Sequence, residues 1–214
     1  EDFHRARRKQ LAEIAEDEDD AFTVARHTFL ELVYGEHPRH RPVSGRRESV
    51  AALGPEDVLA FRRSFCVPGG AVLAVAGDLD PQAVPGLASE TMGDWTGKVP
   101  ALPAPQPPGG AGGRSRFVPM ERKQTHIMVG GVGIARCDPD YHTVALMDVV
   151  LGDSAGFGSR LGRRMREGEG LAYVVECDAS STAGIDPGVV WFYTATSPPR
   201  AGRALDVLRE ELES

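Results

Sequence analysis

The sequence predicts an α+β protein of two lobes, and three observations predict it. A segment dense in proline and glycine, ALPAPQPPGGAGG at 101–113, divides the 214 residues into parts of similar size. It carries no charge and can hold neither a helix nor a strand ladder. Helical spacings and short apolar runs are interleaved on both sides of it. Two strand patterns, LAYVVECDA and GVVWFYTAT, are joined by a short loop at 179–188, which favours an antiparallel sheet. The expected division is therefore a first lobe at 1–100, a linker at 101–113 and a second lobe at 114–214.

The first lobe opens on a long helical pattern. Leu11, Ile14, Ala15, Phe22, Ala25 and Leu30 fall near helical spacing, with the acidic run EDEDD among them. YGEHPRHRPVSG at 34–45 reads as a loop, because two prolines and two glycines interrupt it. Pro55 suits a first helical position, and a helix is expected from there to about Phe65. AVLAVAGD at 71–78 reads as a short buried strand, and Asp80-Pro81 as the start of another helix.

The second lobe repeats the alternation. THIMVGGVGIA at 125–135 reads as a strand broken by glycines. Asp138-Pro139 opens a helix that stops at Gly152, and FGSRLGRRMREGEG is a second helix ended by glycines. After the two strands, Ser197 with Pro198 and Pro199 starts a last helix. The chain begins at Glu1, inside a helical pattern, and closes inside another, so it reads as a piece of a longer protein.

Composition narrows the function. The balance of 24 Lys+Arg against 31 Asp+Glu gives a net charge of -7, which argues against nucleic acid as a main partner. No apolar run is long enough for a membrane span. Cys66, Cys137 and Cys177 are far apart and odd in number, which suits unpaired thiols in a reducing compartment, read here as the cytoplasm.

Several chemistries are missing from the sequence. No H-E-x-x-H or H-x-x-E-H joins the six histidines, and Pro38 keeps His37 and His40 off a common helix face. No G-x-S-x-G is present, and Ser159 reads as a helix cap. GGVG at 130–133 is no phosphate loop; Gly130, Gly131 and Gly133 mark a strand where another backbone or a substrate comes close.

The segment 152–173 is the most informative. Arg166 falls in the last turn of a helix, and Tyr173 lies seven residues on, early in the next strand. Two readings fit. Arg166 complements the helix C-terminus and Tyr173 is an amphipathic sheet residue. Or the two are convergent donors for a peptide carbonyl that becomes an oxyanion during hydrolysis.

YGEHP, the strand ending in AGDLDP, DPDY, LG, SRL and RE-x-x-GLAY occur in one order along nearly the whole chain. Together they resemble the insulinase/mitochondrial-processing-peptidase family of zinc metallopeptidases (inverzincins, pitrilysin-like), here without the H-x-x-E-H motif. The resemblance implies two homologous lobes, each a mostly antiparallel sheet packed with helices. It implies that 1–100 is the C-terminal part of a first peptidase-like domain, and that 114–214 is a second one carrying the family's R/Y pair, at Arg166 and Tyr173. That pair would grip peptide substrate opposite a zinc-bearing half, fused or associated as a homodimer or heterodimer. Zinc belongs to the complete assembly, with none expected on this chain alone. RRKQLAEI places Glu13 where the family's third zinc ligand stands. Glu13 is then either that ligand, if an upstream segment carries the zinc motif, or an exposed helix glutamate in a non-catalytic half. The function implied is part of a zinc metalloendopeptidase; the alternative is a non-catalytic scaffold or binding subunit.

Overall fold

The computed structural model describes residues 2–101, 112–152 and 158–213. The fold is α+β: helices with a small antiparallel sheet. Packing divides the chain into two compact units, Glu1–Leu11 with Arg46–Ala104 and Ala12–Gly45 with Pro105–Ser214. The prolines and glycines of the expected linker lie mostly outside the described residues.

The first long helical pattern is two helices, α1 (Asp2–Asp19) and α2 (Ala21–Tyr34). Asp20 separates them. Its backbone is extended and its carboxylate accepts the Thr23 N–H at 2.8 Å, so it caps α2. That bond holds the Asp20 carboxyl below the usual carboxylate range.

In the first unit, α3 (Arg47–Ala52), α4 (Pro55–Phe65) and α5 (Val84–Met92) follow. Arg7 of α1 donates to the Leu53 carbonyl at 2.7 Å, and Trp95 donates to the Cys66 carbonyl at 3.1 Å. The expected strand at 71–78 is not formed. The segment pairs with no other strand among the described residues, and Val72 is 92% exposed. A strand exists only by pairing, and hydrophobic spelling cannot supply the partner.

In the second unit, β1 (Thr125–Val132), β2 (Ala172–Asp178) and β3 (Val189–Thr196) form an antiparallel sheet in the order β1-β3-β2. Alternation sends successive side chains to opposite faces. One face, with Ile127, Val175, Cys177 and Phe192, packs on Leu151 of α6 (Tyr141–Leu151), on Leu161 and Met165, and on Ala204, Val207 and Leu208 of α8 (Ala201–Glu213). The last three sit at helical spacing and are buried, so α8 is laid on the sheet by one stripe. The other face, with Met128, Val189 and Trp191, packs on Phe29, Leu30, Val33 and Tyr34 of α2.

Between α6 and β2 the backbone departs from regular form. A single helical turn, α7 (Arg160–Gly162), runs into a π-helical turn at Arg163–Gly168. Gly170, at φ +58, then reverses the chain into β2. Among the described residues no helix is long and apolar enough to cross a membrane.

Candidate functional site

Arg166 and Tyr173 flank one turn, and each sits at a backbone irregularity. Arg166 lies on the π-helical turn, which the Glu169 N–H closes on the Arg164 carbonyl at 3.0 Å and the Leu171 N–H on the Met165 carbonyl at 2.7 Å. Ser159 starts this element by accepting the Gly162 N–H at 3.1 Å, which makes it the helix cap that its sequence position suggests. Met165 and Leu161, both fully buried, anchor the turn's inner side in the core.

Tyr173 is the extra residue of a β-bulge. Ala172 pairs with Thr196 and Val174 with the next residue of β3, Ala195, so two steps on β2 match one on β3. The bulge takes Tyr173 out of the alternation of the sheet. Its side chain is 82% exposed, and its hydroxyl makes no hydrogen bond among the described residues. Arg166 is half-buried. One of its terminal nitrogens lies 3.9 Å from where a Cβ at Gly162 would stand, one turn back along the helix. That is the direction helical side chains take. No hydrogen bond joins Arg166 to Tyr173 among the described residues.

Two of the four arginines at 160–166, Arg160 and Arg164, are held by carboxylates. Arg160 donates to Glu211, Arg164 to Glu169, Glu210 and Glu211, and Arg203 to Glu169 and Glu210. The Arg203 guanidinium holds the Glu169 carboxyl below its ordinary range, and Glu169 in turn raises the pKa of Arg164. These pairings are not legible in the sequence, because Glu210 and Glu211 lie more than forty residues on from Arg164. The clustering of glutamates in the last helix was the available signal.

The two glycines of β1 and Gly133 just after it have different surroundings. A Cβ on Gly130 would stand 1.9 Å from the Val190 carbonyl oxygen, and one on Gly133 3.2 Å from the Val189 carbonyl carbon. Close approach at both positions is made by β3 of this chain. A Cβ on Gly131 would meet nothing within 4 Å.

Glu13 is exposed on α1, next to the buried Ile14. Among the described residues no group of three or more His, Cys, Asp or Glu could hold a metal ion, so these residues do not fit a zinc ion by themselves. His37 is buried, stacks on Tyr34 and accepts the Arg39 N–H at Nδ1, and His40 contacts the Gly35 carbonyl. Both serve the loop, whose Arg39 donates to the carbonyls of Thr182 at 2.6 Å and Pro187 at 2.8 Å.

One polar cluster went unforeseen. On the α2 face of the sheet, His126 Nδ1 lies 2.8 Å from the Tyr193 hydroxyl. The Phe22 ring meets Tyr193 edge-on at 4.7 Å. Burial pushes Tyr193 up to about 12 and lowers the His126 pKa. The pairing depends on strand register, which single-strand patterns do not reveal.

Residues 52–214 match the family model described as the peptidase M16 inactive domain. An uncharacterized zinc protease of Streptomyces coelicolor is 31% identical over 221 residues, covering 100% of this chain and 47% of that protein. Another, of Mycobacterium leprae, is 31% identical over 212 residues, covering 95% of this chain and 46% of that protein. A crystal structure of a peptidase M16 inactive domain from Pseudomonas fluorescens superimposes with a TM-score of 0.85 at 25% identity, over 98% of this chain and 50% of that one. The chain spans about half the length of the curated relatives it matches.

Proposed function

This chain belongs to the M16 peptidase family, in the part its family model describes as the inactive domain, and on that premise we propose that it is the peptide-holding half of a zinc metalloendopeptidase. The observation that carries this reading is the placement of Arg166 and Tyr173. Two donors flank one turn, one on a π-helical turn and the other lifted from its strand by a bulge. Such irregularities cost regular hydrogen bonding and recur next to functional sites, where they re-aim side chains. The Tyr173 phenol, exposed and donating to no described residue, is available to an incoming carbonyl. The Arg166 head lies back toward Gly162 and would swing forward on its flexible stem when peptide arrives.

On this reading residues 1–100 belong to a first peptidase-like domain and 114–214 to a second, linked through 101–113. The zinc and the water it activates belong to another peptidase-like half, fused or associated as a homodimer or heterodimer. Glu13 joins the metal only where an H-x-x-E-H segment precedes it. Peptide lies extended along a sheet edge, where Gly131 leaves room for its backbone. The three thiols, Cys66 and Cys137 exposed and Cys177 buried, suit the cytoplasm.

The test is reconstitution. This chain alone leaves a quenched-fluorescence peptide intact, a zinc-bearing half alone cuts it slowly, and the two together cut it fast. Equal rates with and without this chain leave it a scaffold. That second reading has its own support in the description of the family's domain as inactive.

A further inference from the structure

The turn between Arg166 and Tyr173 is gripped at three consecutive residues by groups from β3, from α8 and from the short turn between them. Thr196 donates its hydroxyl to the Leu171 carbonyl at 2.6 Å. Arg200, just before α8, donates to the Gly170 carbonyl at 2.6 Å. Arg203, in the first turn of α8, forks onto the Glu169 carboxylate, with Nε at 2.8 Å and Nη2 at 2.7 Å. Glu169 also receives Arg164 at 3.2 Å, and Arg164 and Arg203 both reach Glu210, two turns further along the same face of α8.

A glycine reversal has little stiffness of its own, because Gly170 is free of side-chain restraint. A lone surface ion pair would add almost nothing, but a bidentate fork inside a network is the exception to that rule. The grip also reaches the π-helical turn itself: Glu169 gives its N–H to the Arg164 carbonyl while its carboxylate takes the Arg164 side chain. Backbone and side chain of one residue thus close the same loop.

We propose that Glu169 and Arg203 are positioning residues: their fork, with Arg200 on Gly170, locks the turn so that the backbone bearing Arg166 and Tyr173 keeps one spacing, from which both side chains reach one peptide carbonyl. This rests on the peptide-holding role of that pair. Neither residue touches the substrate. Their effect is on geometry, where a displacement of about 1 Å costs up to ~100-fold in rate.

The experiment uses the complete protein, with Glu169→Gln and Arg203→Met as separate variants and Arg203→Lys as the conservative one. Hydrogen exchange is followed in peptides covering 163–173, with β1 peptides as the internal reference, and peptidase kcat and KM are measured in parallel. Exchange in 163–173 rises about 3–10-fold in both main variants with β1 unchanged, a loss on the scale of one network ion pair. Meanwhile kcat falls about 10-fold or more with KM within about twofold, and Arg203→Lys, which keeps the charge without the fork, lies between. Unchanged exchange at 163–173 overturns the proposal. So does raised exchange with unchanged kcat while Tyr173→Phe still lowers kcat, which leaves the donor pair standing without its latch. If Tyr173→Phe also leaves kcat unchanged, the donor pair itself falls and the positioning role with it. Where Arg203→Met fails to fold, Arg200→Met probes the same turn from its other hold.

Discussion

His126 on β1 and Tyr193 on β3 share a hydrogen bond of 2.8 Å across neighbouring strands, under the edge of the Phe22 ring. Tyr193 is pushed up to about 12 and stays protonated, so its O–H can donate to a bare Nδ1. Burial lowers the His126 pKa below 6.5, although Asp20 opposes the shift. The folded state therefore binds fewer protons than the unfolded one at this site. The contribution is present above about pH 6.5 and is lost as pH falls through the lowered folded value. Urea midpoints measured across pH 7.5 to 5 decline for the wild type and decline less for His126→Gln. An equal decline in both places the acid sensitivity elsewhere.

The glycines of β1 give opposite expectations. Gly130→Ala forces a Cβ into the Val190 carbonyl, which lies 1.9 Å from the ideal position, and destabilises the protein by about 1–3 kcal/mol as an overpacking change. Gly131→Ala meets nothing within 4 Å and costs little or gains up to ~1 kcal/mol through the unfolded chain. If peptide backbone passes Gly131, that second variant binds peptide more weakly at undiminished stability. Thermal melts and peptide titration of both variants separate the two roles.

Asp20 caps α2 through the Thr23 N–H. Asp20→Ala removes the cap and lowers stability by about 1 kcal/mol, while Asp20→Asn retains most of it. Chemical denaturation measures both, and equal losses in the two variants would assign the effect to charge instead.

Leu161 and Met165 are fully buried beneath the turn that carries Arg166. Leu161→Ala opens a cavity there and costs about 2–5 kcal/mol. Met165→Leu, a near volume-conserving change, costs less than about 1.5 kcal/mol. A small effect of Leu161→Ala would mean that the turn collapses onto the core.

Local chemistry was legible in the sequence where neighbours along the chain decide it. Pro55 at a first helical position, the Ser159 cap and the two strands joined through 179–188 are all read from adjacent residues. The break at Asp20 was not seen, since an aspartate inside an acidic run looks like any other until its side chain takes a backbone N–H. Residues 71–78 misled because their composition is that of a strand and only a partner makes one. The candidate site was half legible. The order of motifs pointed to Arg166 and Tyr173, whereas the bulge under Tyr173 and the holds of Arg200 and Arg203 on the turn arise from register and long-range packing.

The central claim is that Tyr173 donates to a substrate carbonyl. The most direct measurement is peptidase turnover of the complete protein with Tyr173→Phe, a change that removes one hydroxyl from a side chain 82% exposed and should leave the fold intact. The account predicts a fall in kcat of about 100- to 1000-fold, the usual loss for one oxyanion donor. Turnover equal to that of the wild type would contradict it.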